Sequence, residues 1–109
     1  MESNNMERKI VNELRRGIIV LAVLSQLDEE QYGYSLLKKL SVQGLELDQG
    51  TLYPLLRRLE SQGLLESNWN VEGSRPRRYY LISPEGQKLL PKLKKEWQKN
   101  VSMMEAMLG

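Results

Sequence analysis

Apolar residues in the first part of the chain recur at the spacing of an α-helix. The first predicted helix covers residues 6–27, and its second half is apolar on nearly all sides. Its helical spacing is set by Ile10, Leu14, Ile18 and Leu21. Residues 1–5 are polar, and we expect them to fray. A helix that is apolar all round must be covered on all sides, which one small chain can hardly supply.

A polar turn at residues 28–31 separates this helix from a second, shorter one at residues 32–42. Its inward positions are Leu36, Leu37 and Leu40, with Lys38 on the opposite side. Gly44 follows the helix in the position where helices commonly end.

The third helix has the clearest pattern. One complete apolar stripe is formed by Leu52, Leu55, Leu56 and Leu59. Gly63 ends the helix. Asp48 is a good N-cap residue, but a start there would leave Pro54 beyond the first turn, where its missing N–H costs a hydrogen bond. We therefore predict a start near Gly50 or Thr51.

The period then changes from helical to alternating. One face of a half-buried strand is predicted to hold Leu65, Trp69 and Val71, and the other Glu66, Asn68 and Asn70. Residues 72–74 form a turn, and residues 77–82 form the returning strand. Ser83 is a predicted N-cap, and Pro84 is the predicted first residue of the helix that follows. They open a last helix that extends to residue 108.

This order of elements predicts an α+β, mostly helical fold: a winged helix-turn-helix with three helices and a two-stranded wing, plus a long C-terminal dimerisation helix. The expected division is a DNA-binding domain at residues 1–83, including the N-terminal helix, and a dimerisation helix at residues 84–109. Another small α+β fold with the same element order is the alternative.

The composition excludes several classes of function. The 109 residues include no Cys and no His, which removes disulfides, thiolate nucleophiles and the commonest general base and metal ligand. We therefore expect no enzyme activity, no metal and no cofactor. The longest apolar run, residues 17–24, is far shorter than the ~20 residues of a membrane span. We expect a cytoplasmic protein that binds no membrane.

Charge is unevenly distributed in a chain whose net charge is only +2. Residues 57–95 hold nine basic and four acidic side chains, whereas residues 1–56 hold six basic and eight acidic ones. A locally basic region is typical of a surface that binds a polyanion, although a merely solvated surface would look the same.

Two parts of this basic region suit double-stranded DNA. The outward face of the third helix carries Arg57 beside Tyr53, and Arg can bind the paired acceptors of guanine. Arg75, Arg77 and Arg78 cluster at the hairpin tip, where the core requires none of them and they could contact phosphates. Lys38 would add a further phosphate contact. Solvated arginines, or a charged edge that blocks strand pairing, are the alternatives.

The last helix is too long for one small domain and keeps an apolar stripe along its length. With the first helix it predicts a dimer interface made of Leu14, Ile18, Leu90, Leu93, Trp97, Val101, Met104 and Leu108. A bend at Pro91 that folds the helix back is the alternative. Trp97 is most simply interface packing, but together with Ile18 it could also line a site for a flat aromatic ligand.

Several segments resemble PadR-like transcriptional regulators. They are GTLYPLLRRLESQGLLES at residues 50–67, Tyr32-Gly33-Tyr34, the strand with Trp69, and RPRRYYLISPEG at residues 75–86. The likeness extends over about residues 13–97. The chain is most similar to the short subfamily, which has a single C-terminal dimerisation helix.

The resemblance implies a bacterial homodimeric repressor that binds an inverted-repeat operator. It implies DNA contacts by Thr51, Tyr53, Pro54 and the three wing arginines, and in some short members a drug site at the position of Trp97. Val101 is apolar here, so that position supplies no acid for a cationic drug. The full set of predicted DNA contacts is Lys38, Gln49, Thr51, Tyr53, Pro54, Arg57, Arg75, Arg77 and Arg78.

The prediction is therefore a sequence-specific DNA-binding regulator whose partners are a palindromic operator, a second copy of itself and an aromatic small-molecule effector. The alternative is a winged-helix module that binds another protein and no operator.

Overall fold

The computed structural model describes residues 2–109, with side chains from residue 4 onward. Its elements in chain order are α1 (Glu2–Ser25), β1 (Gln31–Tyr32), α2 (Gly33–Val42), α3 (Gln49–Ser61), β2 (Leu65–Asn70), β3 (Arg77–Ile82) and α4 (Pro84–Leu108). Four helices and a small antiparallel sheet confirm the predicted α+β, mostly helical winged helix. Across these residues, no helix combines the length and apolarity that crossing a bilayer requires.

The core lies between α1, α2, α3 and the base of the sheet. All four leucines of the predicted α3 stripe are buried, as are Leu36 and Leu40 of α2. The C-terminal half of α1 contributes Ile19, Val23 and Leu24 to the same cluster. Tyr80 and Ile82 cover it from β3. The periodic pattern of the sequence therefore identified the buried faces of α2 and α3 correctly.

The sheet has three strands in the order β1-β3-β2. The wing is β2 paired with β3, with Leu65 opposite Ile82 and Trp69 opposite Arg78. On its other edge β3 pairs with β1, and this pairing places Tyr32 opposite Tyr79. The sequence missed β1, because two residues are too short for any alternation to show. This pairing attaches the wing directly to the start of α2.

Two of the predicted helix starts, those of α1 and α3, require correction. Helix α1 begins at Glu2, within the polar stretch expected to fray, and Met1 lies outside the described residues. Helix α3 begins at Gln49 with Asp48 as its N-cap, so the later start was wrong. The Asp48 carboxylate accepts a hydrogen bond from the Thr51 N–H at 2.7 Å. This cap satisfies an otherwise unpaired helix donor, and the helix continues through Pro54.

The predicted half-buried face of β2 is wrong in its outer part. Leu65 is buried, but Trp69 is 61% exposed and Val71 is exposed as well. The strand extends beyond the core, so the alternation continues where nothing remains to cover it. The hairpin therefore projects as a wing.

Helix α4 begins where the wing and α3 meet. The Ser83 hydroxyl accepts a hydrogen bond from the Gly86 N–H at 3.0 Å and donates one to the Gly63 carbonyl at 2.6 Å. Gly86 is buried, and a Cβ there would come within 2.3 Å of the Leu64 carbonyl oxygen. From this anchor the helix continues through Pro91 to Leu108.

Candidate nucleic-acid interface

The outer face of α3 is open to solvent. With its leucines turned into the core, the helix exposes Gly50, Pro54, Arg57 and Ser61, as the 100° spacing predicts. Gln49 and Thr51 are exposed at the N-terminal end of the same helix. Small residues at two of these positions allow the backbone to approach a flat or grooved partner closely.

Tyr53 is half-buried and turns toward α2. Its ring lies over Gly33, leaving no space for a side chain at that position. The side chain therefore borders the outer face of α3 while also packing α3 against the start of α2.

A cavity of about 300 Å³ lies between the start of α2, α3 and the wing. Its walls are mainly aromatic rings and guanidinium groups. The rings are Tyr32, Tyr34, Tyr53, Trp69 and Tyr80, and the guanidinium groups are Arg57, Arg77 and Arg78. The fold thus brings two predicted contacts of α3, Tyr53 and Arg57, and two of the wing, Arg77 and Arg78, to one concave surface.

Two of these arginines, Arg57 and Arg77, have guanidinium charges that remain available to bind an anion. The Arg77 guanidinium lies 4.4 Å from the centre of the Tyr32 ring, a cation–π contact. Neither Arg77 nor Arg57 forms an ion pair with any side chain from residue 4 onward. Arg75 is exposed in the loop at the wing tip. Unpaired guanidinium groups on one surface give it a positive potential that attracts phosphates.

Arg78 differs from its neighbours, because its guanidinium is paired with the Glu60 carboxylate at 2.7 Å. It also donates a hydrogen bond to Ser67 at 3.0 Å and lies 5.5 Å from the Tyr80 ring. The expectation that the core region requires none of the wing arginines is therefore wrong for Arg78. Glu60 and Ser67 were missed, because their role depends on a partner that is distant in sequence.

The remaining predicted contact, Lys38, is exposed on α2. Its ammonium nitrogen lies 5.2 Å from the centre of the Tyr34 ring. It is outside the residues that line the cavity and extends the basic surface along α2.

The fold perturbs the pKa of Tyr80 at this surface. Burial raises the pKa of its phenol above the ordinary value, and the positive charge of nearby Arg78 opposes that rise without cancelling it. Tyr80 therefore stays protonated at neutral pH. The described residues contain no group of three or more carboxylates placed to hold a metal ion.

A second, larger cavity of about 1050 Å³ lies between α1 and α4, which we call the α1–α4 groove. It is lined by seven of the eight predicted interface residues: Leu14, Ile18, Leu93, Trp97, Val101, Met104 and Leu108. Leu14 is 74% exposed and Trp97 is 42% exposed. Leu90, the eighth, is half-buried and packs against the core, as Leu93 also does.

Two carboxylates border this apolar groove. Glu96 and Glu105 are among its lining residues, and Glu96 is also 3.5 Å from Lys99. The family resemblance pointed to position 101 alone as the place for an acidic side chain, and Val101 there is apolar. The groove does contain acidic groups, at other positions.

Comparisons with known proteins agree with this description. Residues 20–92 match the sequence model of the transcriptional regulator PadR-like family. The transcriptional regulator Rv3488 of Mycobacterium tuberculosis is 40% identical over 81 residues, which cover 73% of this chain and 76% of that protein.

Solved structures resemble the chain over almost its whole length. A crystal structure of a PadR family transcriptional regulator from Eggerthella lenta superposes with a TM-score of 0.89 and 44% identity, covering 99% of this chain and 96% of that one. A transcriptional regulator from Clostridium thermocellum gives a TM-score of 0.82 and 28% identity, covering 89% of this chain and 99% of that one. The likeness of fold to the first of these structures thus extends over α3, the wing and both helices of the groove.

Proposed function

The chain belongs to the PadR-like family of transcriptional regulators, and on that premise we propose that it is a homodimeric repressor of an inverted-repeat operator. The family resemblance that residues 50–67 predicted is confirmed. The family is a class of DNA-binding regulators and not of enzymes. The repressor role, the dimer and the operator are the parts that we propose here.

One observation carries the DNA-binding part of the proposal. The exposed face of α3 and the wing meet at a cavity bordered by Arg57 and Arg77, neither of which has an ion pair in the described part of the chain. Helix α3 would enter the major groove and present Arg57 to base edges. Arg75 and Arg77 would contact phosphates beside the groove.

The proposal of a dimer is based on the exposed apolar surface of the α1–α4 groove. Contiguous apolar surface of this kind in one chain usually marks an interface. A second copy would cover the groove with its own α1 and α4, since a twofold interface brings the same surface of both chains together. Two copies of α3 would then lie about one duplex turn apart, ~34 Å, and would match two inverted half-sites.

Selection of bound duplexes from a random pool tests this function without knowledge of the operator. A palindromic consensus, together with a dimer in sedimentation, is the expected result. Affinity for the consensus duplex should fall steeply with salt, because each neutralised phosphate contributes a slope of about −0.9. A folded chain that enriches no duplex would contradict the proposal, and a fixed protein partner in its place would indicate a protein-binding module.

We further propose that an aromatic small molecule relieves repression by binding in the groove at Trp97 and Ile18. The ring of Trp97 offers a stacking surface, and Glu96 and Glu105 favour a ligand with positive charge. Planar aromatic cations such as ethidium should quench tryptophan fluorescence in the unmodified chain and in Trp69→Phe, but not in Trp97→Phe. Equal quenching in all three proteins would contradict a site at Trp97.

A further inference from the structure

Glu60 connects α3 to both strands of the wing. Its Oε1 is 2.7 Å from Nη2 of Arg78 on β3, and its Oε2 accepts a hydrogen bond from the Ser67 hydroxyl on β2. Nε of Arg78 donates to the same hydroxyl at 3.0 Å. The three side chains form a closed ring of hydrogen bonds, which we call the wing clasp. Both oxygens of one carboxylate are thus used to hold the wing.

The wing clasp lies where the wing leaves the core. Leu65, two residues before Ser67, is buried, whereas Trp69, two residues after it, is largely exposed. The Arg78 guanidinium lies 5.9 Å from the Trp69 ring directly opposite it on the hairpin. The angle between the projecting strands and α3 therefore depends on contacts that Glu60 organises.

The clasp also determines which positive charges remain free. Arg57 lies one helical turn before Glu60 on α3, and Arg77 directly precedes Arg78 on β3. Neither has an ion pair among the described side chains, whereas Arg78 is held by Glu60 although 36% of its side chain is exposed. Glu60 thus neutralises one arginine in a cluster and leaves its neighbours available.

The geometry points to Glu60 as a positioning residue that raises sequence specificity and lowers non-specific affinity for DNA. This inference rests on the proposed operator binding. By fixing the wing against α3, Glu60 sets the distance between Arg57 at the bases and Arg77 at the backbone. By retaining Arg78, it withholds a phosphate contact that would carry no sequence information.

The test compares Glu60→Gln with Glu66→Gln. Glu66 is exposed on β2 and has no ion pair in the described part of the chain, so its substitution removes the same charge without opening the clasp. Affinities are measured by fluorescence anisotropy over a range of salt concentrations. The two probes are the consensus duplex from the selection and a scrambled duplex of the same composition.

Glu60→Gln should weaken binding to the consensus duplex about tenfold, the usual consequence of losing one charge-assisted hydrogen bond. It should strengthen binding to the scrambled duplex and make its salt slope more negative by about 0.9, because Arg78 then contacts a phosphate. Glu66→Gln should change both affinities slightly and in the same direction. Arg78→Ala should weaken consensus binding without strengthening scrambled binding, since it frees no guanidinium.

Two results would overturn the inference while the proposed function stands. In one, Glu60→Gln behaves like Glu66→Gln on both duplexes. In the other, it weakens both equally, which a purely structural role in the wing would produce. If Glu60→Gln does not fold, Glu60→Arg combined with Arg78→Glu restores the pair in reverse and should restore the preference for the consensus duplex. A wild-type chain that binds neither duplex overturns the function and this inference together.

Discussion

Tyr53 of α3 lies so close to Gly33 of α2 that a Cβ on Gly33 would come within 2.3 Å of its Cε1 atom. The nearest atoms all belong to the far end of the tyrosine ring, namely Cε1, Cζ and the hydroxyl oxygen. A side chain at position 33 would therefore push the ring outward and leave the backbone in place. Gly33 thus determines where Tyr53 stands on the proposed DNA-binding surface.

Gly33→Ala should accordingly affect DNA binding more than stability. We expect the free energy of unfolding to fall by about 1 kcal/mol, the low end for overpacking, because the ring can move. Affinity for the consensus duplex should fall about tenfold, as for loss of one good base contact. Urea denaturation and anisotropy titration measure the two effects. In a Tyr53→Ala background Gly33→Ala should have no further effect on affinity, and additive losses would contradict this explanation.

Removal of Arg75 or Arg77 from the wing should reduce the dependence of DNA binding on salt. Arg75→Ala and Arg77→Ala should each make the slope of log affinity against log salt less negative by about 0.9, because each removes one phosphate contact. Arg77→Lys should keep the slope, since it keeps the charge. Lys94→Ala, an exposed lysine on α4, serves as the matched control. A control that lowers the slope as much as the arginine variants would argue against a localised contact.

Introduction of charge into the α1–α4 groove should separate the proposed dimer. Leu14 contributes little to the fold of one chain because it is mostly exposed, so Leu14→Glu should leave the protomer folded. Sedimentation velocity should show a dimer for the wild type and a monomer for the variant. Val42→Glu, at a position that is 88% exposed and outside the groove, should remain dimeric. A dimeric Leu14→Glu protein would place the interface elsewhere.

Tyr80 should make stability fall at alkaline pH. Burial raises the pKa of its phenol above the ordinary value of 10.0, so the unfolded chain loses this proton first as the pH rises. Its contribution is therefore complete below about pH 10 and is lost as the pH rises through the folded-state pKa. Urea denaturation between about pH 9 and 11 should show the wild type losing stability relative to Tyr80→Phe.

The sequence predicted the elements that depend on local periodicity. The buried leucines of α3, the exposed Arg57 and the two wing strands all follow from spacing within a few residues. The predicted start of α3 was wrong because two local signals conflict there. Asp48 favours an early start and Pro54 a later one, and the helix begins directly after Asp48.

Contacts between distant residues could not be predicted in the same way. Glu60 and Arg78 are 18 residues apart, and no pattern in either segment identifies the other as its partner. Strand β1 is likewise visible only as a partner of β3. The sequence therefore does not distinguish among the predicted DNA contacts, whereas the fold pairs Arg78 with a carboxylate and gives Arg77 no ion pair among the described side chains.

Helix α1 is continuous from the α1–α4 groove into the core. Leu14 and Ile18 line the groove, whereas Val23 and Leu24 are buried beneath α2 and α3. A straight helix turns by about 100° and advances 1.5 Å for each residue, so an insertion between these two regions would rotate one against the other. A chimera that combines the DNA-reading part of one family member with α4 of another must therefore take the first part of α1 from the α4 donor, in unchanged register.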